Sequence, residues 1–161
     1  MFQTAYICMM GNLFNPDFKD FIETLNLFRV DYLLVGGYAV IIYGYYRTTG
    51  DLDIWVNPTK ENYKKLSMAF AKFGLPIDAI GEDQFIDPIQ ADVFSFGRPP
   101  VSIDILTQVK GINFEESFAV SNMDDSQGFK INVINYQHLI NAKKAAGRFK
   151  DLNDIENLEN Q

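Results

Sequence analysis

Cysteine and histidine are almost missing from this chain. Cys8 is the sole cysteine and His138 the sole histidine among 161 residues. An intrachain disulfide is therefore excluded, and a zinc site built from Cys and His cannot be assembled. The lack of disulfides suits a reducing, cytoplasmic setting. A Ser-His-Asp hydrolase would have only His138 to use and no Gly-x-Ser-x-Gly elbow, so His138 reads as an ordinary residue in the first turn of a helix. Positive charge is also scarce. Fourteen Lys and Arg stand against 21 Asp and Glu, a net charge of −7, which argues against broad, non-specific nucleic-acid binding. No stretch approaches the roughly 18 unbroken apolar residues of a membrane span, so none is expected. The apolar stretch Met1 to Met10 carries no basic residue and makes a poor signal peptide. Neither the Gly-x-Gly-x-x-Gly dinucleotide fingerprint nor a Gly-x-x-x-x-Gly-Lys-Ser/Thr loop occurs.

Apolar and aromatic residues, by contrast, are plentiful. Hydrophobic residues make up 47% of the chain and aromatics 14%, enough for one core in one domain spanning 1–161. Most of the 14 Phe and eight Tyr read as core, as do Tyr38, Tyr43, Tyr45 and Tyr46 in and after a short helix. Cys8 reads as a small buried hydrophobe. Four basic residues, Lys143, Lys144, Arg148 and Lys150, cluster near the C-terminus.

Periodicity predicts alternating elements. Phe18, Phe21, Ile22, Leu25 and Phe28 have helical spacing, predicting a helix over 17–29 entered through Asn15-Pro16. A strand is expected at 32–35, a helix at about 38–45, and a strand at 51–56 ended by Asn57-Pro58. Thr59 caps a helix to Phe73, with Gly74 as its stop. Residues 75–91, with Pro76, Gly81 and Pro88, read as irregular. Strands follow at 91–96 and 102–106 around a turn at Gly97 to Pro100. Then come a short helix near 114–118 and a strand at 130–134 paired with 118–122. Asn135 caps a helix over 136–146, and Asp151 caps a last one over 152–159. The whole reads as an α+β fold with a mixed β-sheet flanked by helices.

Within that pattern, Tyr32-Leu33-Leu34-Val35 leads into Gly36-Gly37, and after thirteen intervening residues Asp51-Leu52-Asp53 opens a second hydrophobic run. Alternation along a strand points Asp51 and Asp53 to the same face and Leu52 and Ile54 to the core. The two acids then lie about 6–7 Å apart at their Cα atoms. Such a pair can share divalent cations held about 3.5–4 Å apart, the geometry of two-metal phosphoryl chemistry. The bland alternative, a surface strand face, leaves a same-face pair of acids to repel. Glycines at a helix start let a phosphate approach backbone N–H groups, or simply make a tight turn. Trp55 shares the acids' face, and packing is the expected role over stacking on a base.

Val35-Gly36-Gly37 together with Asp51-Leu52-Asp53-Ile54 resembles the signature of the nucleotidyltransferase superfamily that includes DNA polymerase β. Arg47-Thr48-Thr49, the run Lys143 to Arg148, and Lys150-Asp151-Leu152 resemble its small stand-alone branch, which holds minimal nucleotidyltransferases and abortive-infection toxin relatives. The likeness covers about residues 30–158. It implies a nucleotidyltransferase fold and a metal-dependent transfer of a nucleoside monophosphate from an NTP. It also implies a third carboxylate, for which Asp104 in Val101 to Leu106 is the candidate and Asp92 the rival. Asp51, Asp53 and Asp104 would then bind Mg²⁺ or Mn²⁺, with Asp104 as general base. Gly36 and Gly37 would cradle phosphate, and Arg47, Thr49 and Lys143 would contact the nucleotide. Arg148 would either do the same or pair with Asp151 or Asp154. The acceptor stays open between an RNA end, a protein and a small molecule, and a partner protein or a homodimer could complete the site. The alternative is a toxin-antitoxin or defence-system interaction module with little or no transfer activity.

Overall fold

The computed structural model describes residues 12–89, 91–98 and 101–161. Cys8 and the Pro99-Pro100 part of the expected turn lie outside the described residues. Helix α1 (Pro16–Leu27) starts where Asn15 Oδ1 accepts the Phe18 N–H at 2.8 Å, and it buries Phe18, Phe21, Ile22 and Leu25. Strand β1 (Tyr32–Val35) is buried at all of its positions. It turns at once into helix α2 (Gly36–Ile42). This helix begins two residues before its expected start and ends three earlier, because Gly36 at φ +67° reverses the chain without an intervening loop.

Strand β2 (Asp51–Val56) matches its expected bounds. Helix α3 (Lys60–Phe73) is capped by Thr59 and stopped by Gly74 at φ +96°, both as expected. The segment read as irregular holds a 3₁₀ turn (Ile77–Ala79) and a short helix, α4 (Glu82–Ile86). Burial explains the correction: Ile80 and Phe85 are fully inside, and the Tyr63 hydroxyl donates to the Ile80 carbonyl at 2.7 Å. Strands β3 (Val93–Arg98) and β4 (Val101–Leu106) form a hairpin.

Helix α5 (Phe114–Ala119) pushes strand β5 (Asn122–Asp124) downstream of its expected place. Strand β5 pairs antiparallel with β6 (Ile131–Val133). Asn135 caps helix α6 (Tyr136–Ala146) as expected. The last helix, α7 (Phe149–Glu159), starts three residues early. Asp151 sits inside its first turn and reaches back to accept the Arg148 N–H at 3.2 Å.

The six strands form one mixed sheet in the order β3-β4-β2-β1-β6-β5. Strands β2 and β4 are parallel neighbours, as are β1 and β6, and the other pairs are antiparallel. Helices pack on this sheet through an apolar cluster with Phe21, Leu33, Ile54, Phe70 and Ile105 at its centre. No helix among the described residues is long and apolar enough to cross a membrane.

Candidate active site

The β2–β4 register sets out the acids in rows. Asp51 lies beside Ser102, Asp53 beside Asp104, and Trp55 beside Leu106. The alternate residues Leu52, Ile54, Ile103 and Ile105 are buried on the core side, as period-two alternation requires. The Ser102 hydroxyl donates to Asp51 Oδ1 at 2.8 Å and stands 3.5 Å from Asp104 Oδ1. One hydroxyl hydrogen serves one acceptor at a time, so Asp51 is the carboxylate it holds.

Asp53 is the most perturbed acid. Burial pushes its carboxyl up from 3.8 to about 7; the charges of Asp104 and Asp51 add to this, and Lys150 and Lys143 oppose it. A carboxyl whose environment resists ionisation is one that a cation would rescue.

The two glycines are space for other side chains. A Cβ on Gly36 would overlap the Asp53 carboxylate. One on Gly37 would lie 2.9 Å from Thr49 Cβ and 3.3 Å from Arg47 Nη1. Gly36 thus seats an acid, while Gly37 seats the residues just before β2.

A cavity of about 590 Å³ opens over these rows, lined by Gly36, Asp51, Asp53 and Asp104. Four cations share its wall: Lys110, Lys143, Arg148 and Lys150. Two of the four are already neutralised. Lys143, buried, pairs with Asp151 at 3.3 Å and Asp154 at 2.9 Å. Arg148 Nε donates to Asp151 at 2.7 Å. Burial works against ionised Asp151, but Arg148 and Lys143 outweigh it and hold its carboxyl below the ordinary value. Lys110 and Lys150 are exposed and make no salt bridge among the described residues.

The structure therefore brings Gly36, Asp51, Asp53, Asp104 and Lys143 to one cavity, together with Asp92, the rival acid. Gly37, Arg47 and Thr49 are not on its wall. Arg47 instead forks onto Asp154, with Nε and Nη2 donating at 2.7 and 2.9 Å. Of the two partners expected for Arg148, it takes Asp151. Trp55 is buried edge-to-face against Phe114 with centroids 5.1 Å apart. His138 Nδ1 lies 2.8 Å from the buried Ser117 hydroxyl, a packing pair between α5 and α6. Sequence reasoning missed Lys110. Its one signal is position, four residues past the end of the strand that carries Asp104, where α/β sheets place ligands.

No protein-family model matches this chain, and no curated protein matches it in sequence. Among solved structures, the lincosamide antibiotic adenylyltransferase LnuA, lincomycin-bound, aligns with a TM-score of 0.59 at 17% identity. The alignment covers 92% of this chain and 98% of that one. The chain has the nucleotidyltransferase fold. In it, the acids sit on adjacent parallel strands beside the glycine turn, and the expected α+β class and helix-flanked mixed sheet hold.

Proposed function

We propose that this protein transfers a nucleoside monophosphate from an NTP to a hydroxyl-bearing acceptor. The observation that carries the reading is the parallel pairing of Asp53 with Asp104, next to Gly36 and inside a cavity whose Lys110 and Lys150 make no salt bridge among the described residues. The fold shared with an antibiotic adenylyltransferase supports it.

The donor set suits Mg²⁺ or Mn²⁺, because Asp51, Asp53 and Asp104 offer only hard carboxylate oxygens. Among the described residues, no three His, Cys, Asp or Glu side chains enclose an ion by themselves. A Mg²⁺ ion typically binds through one or two carboxylates and completes its shell with substrate phosphates and water. When bound, the cation supplies charge neutralisation to the phosphates.

The chain's own groups do the rest. Ser102 orients Asp51 through its 2.8 Å hydrogen bond. Asp104 accepts the proton of the acceptor hydroxyl. The acceptor oxygen bonds to the α-phosphorus as the α–β phosphoanhydride bond breaks and pyrophosphate leaves. Lys150 and Lys110 meet the phosphate charge, while Lys143 and Arg148, held by Asp151, shape the wall.

The test is transfer from α-labelled NTPs, one base at a time, with Mg²⁺ or Mn²⁺, into fractionated cell extract. Label in one fraction that is lost with Asp51→Asn/Asp53→Asn establishes the reaction. Equal labelling by that double variant refutes it.

A further inference from the structure

The row of the acids extends beyond β2 and β4. Val35 of β1 pairs with Asp53, Asp53 with Asp104, and Asp104 with Ser95 of β3. One line across four strands therefore runs from the residue before the Gly36 turn, through both carboxylates, to a hydroxyl. Adjacent strands lie about 4.8 Å apart, so the line is about 14 Å long.

Alternation puts Ser95 on the acids' face. Its neighbours Phe94 and Phe96 are buried on the core side, where Phe96 meets Phe70 edge-to-face at 5.2 Å. Residues directly opposite on antiparallel strands hold their Cβ atoms about 4.5–5.5 Å apart. A serine and an aspartate in register across two strands can join, and the next row on this face shows it: Ser102 donates to its register partner Asp51 at 2.8 Å.

The two serines differ in what their hydroxyls do. Ser102 is buried and gives its hydrogen to Asp51. Ser95 is exposed, and its hydroxyl makes no hydrogen bond among the described residues. Strand β3 is outermost in the sheet, so no further strand covers it. On the same face, Val93 lines the cavity of the acids, and Gly97 carries no side chain to crowd the serine.

In-line displacement at phosphorus needs the attacking and leaving oxygens on opposite sides. The row supplies both sides. On the transfer reading, the phosphates lie at the Gly36 end. Ser95 stands at the other end, with Asp104 beside it to take a proton.

We propose that Ser95 is an acceptor built into the chain, and that the protein transfers a nucleoside monophosphate from an NTP onto its own Ser95. The inference rests on the transfer reading above. Ser95 Oγ bonds to the α-phosphorus, the α–β phosphoanhydride bond breaks, and pyrophosphate leaves. The hydroxyl proton passes to Asp104. The product is a phosphodiester between Ser95 and the nucleoside. Ser95 and Asp104 belong to one hairpin, so the step occurs within a single molecule.

The purified protein is incubated with each NTP and Mg²⁺ or Mn²⁺, without extract, and read by intact mass and peptide mapping. The expected result is a gain of one nucleoside monophosphate on the peptide holding Ser95. Ser95→Ala abolishes the gain, and Ser95→Thr, which keeps a hydroxyl at the same place, retains part of it. The rate per molecule does not change on dilution, as a unimolecular step requires. A tagged Asp51→Asn/Asp53→Asn protein, its Ser95 intact, stays unmodified when mixed with wild type. An adduct on another residue, an adduct that persists in Ser95→Ala, or one on the tagged protein overturns the proposal. The two readings fail separately. Label that reaches an extract fraction while the purified protein gains no mass overturns only the built-in acceptor. No label on the protein or in any fraction overturns the transfer reading beneath it.

Discussion

Gly36 and Asp53 occupy one space: the missing side chain of the glycine is where the aspartate carboxylate lies. Gly36 also sits at φ +67°, a conformation that L side chains avoid. Alanine there is strained by its backbone and displaces the acid. Gly36→Ala should destabilise the protein by about 1–3 kcal/mol and abolish nucleotide transfer. Thermal unfolding and the labelled-NTP assay, run on the same sample, check both. A stable, fully active variant would show that Asp53 has no fixed seat.

Asp53 should also leave a mark on stability. Its folded pKa of about 7 lies above its ordinary 3.8, so in this window the native state binds more protons than the unfolded one. Its contribution is complete below about pH 4 and is lost as pH rises through 7. At pH 8 without divalent cations, Asp53→Asn should therefore be more stable than wild type, by an amount on the order of a few kcal/mol. At pH 4 the gap should close. Adding Mg²⁺ at pH 8 should stabilise wild type and not the variant. Melting curves at the two pH values decide it, and parallel curves would mean that Asp53 ionises normally.

Asp154 holds two elements together. It is 1% exposed and takes both Arg47, from the segment before β2, and Lys143 of α6. Removing one partner of a buried ion pair strands the other charges. Asp154→Asn should cost about 3 kcal/mol, or roughly 10 °C in melting temperature. Asp20→Asn, on exposed α1 surface, should cost almost nothing. Similar melting temperatures for the two variants would place the network outside the folded core.

The same network marks how far the sequence could be read. The shared face of Asp51 and Asp53 was legible because strand alternation is local: a period of two puts acid and apolar residues on opposite faces whatever the rest of the chain does. The Gly36 turn was legible for the same reason. Asp104, by contrast, was offered by the family resemblance, with Asp92 as its rival. The partner of Arg47 was not, since Asp154 is 107 residues away and no local rule links them. The resemblance offered Lys143 as a nucleotide contact; that it also pairs with Asp151 and Asp154 was not legible, because both carboxylates come from the next helix, across a turn at Gly147. The start of α7 was misplaced because an aspartate at such a site reads as an outside cap. Here Asp151 is drawn into the first turn, where it serves Lys143 and Arg148 together.

Lys143 and Lys150, both on the cavity wall, should therefore behave differently. Lys143 is buried and doubly paired, so its charge is spent on Asp151 and Asp154. Lys150 is exposed, lines the cavity and lacks a salt bridge among the described residues. A charge-assisted contact to phosphate is worth about 1.5 kcal/mol, near tenfold in binding. Lys150→Ala should raise KM for the NTP about tenfold with the melting temperature unchanged, and Lys150→Arg should restore most of it. Lys143→Ala leaves two buried carboxylates facing fewer cations, so its main effect should be a fall in melting temperature. Steady-state kinetics and melting curves on the three variants separate the roles. A Lys150→Ala protein with unaltered KM, beside a stable Lys143→Ala protein with a raised one, would return the phosphate contact to Lys143.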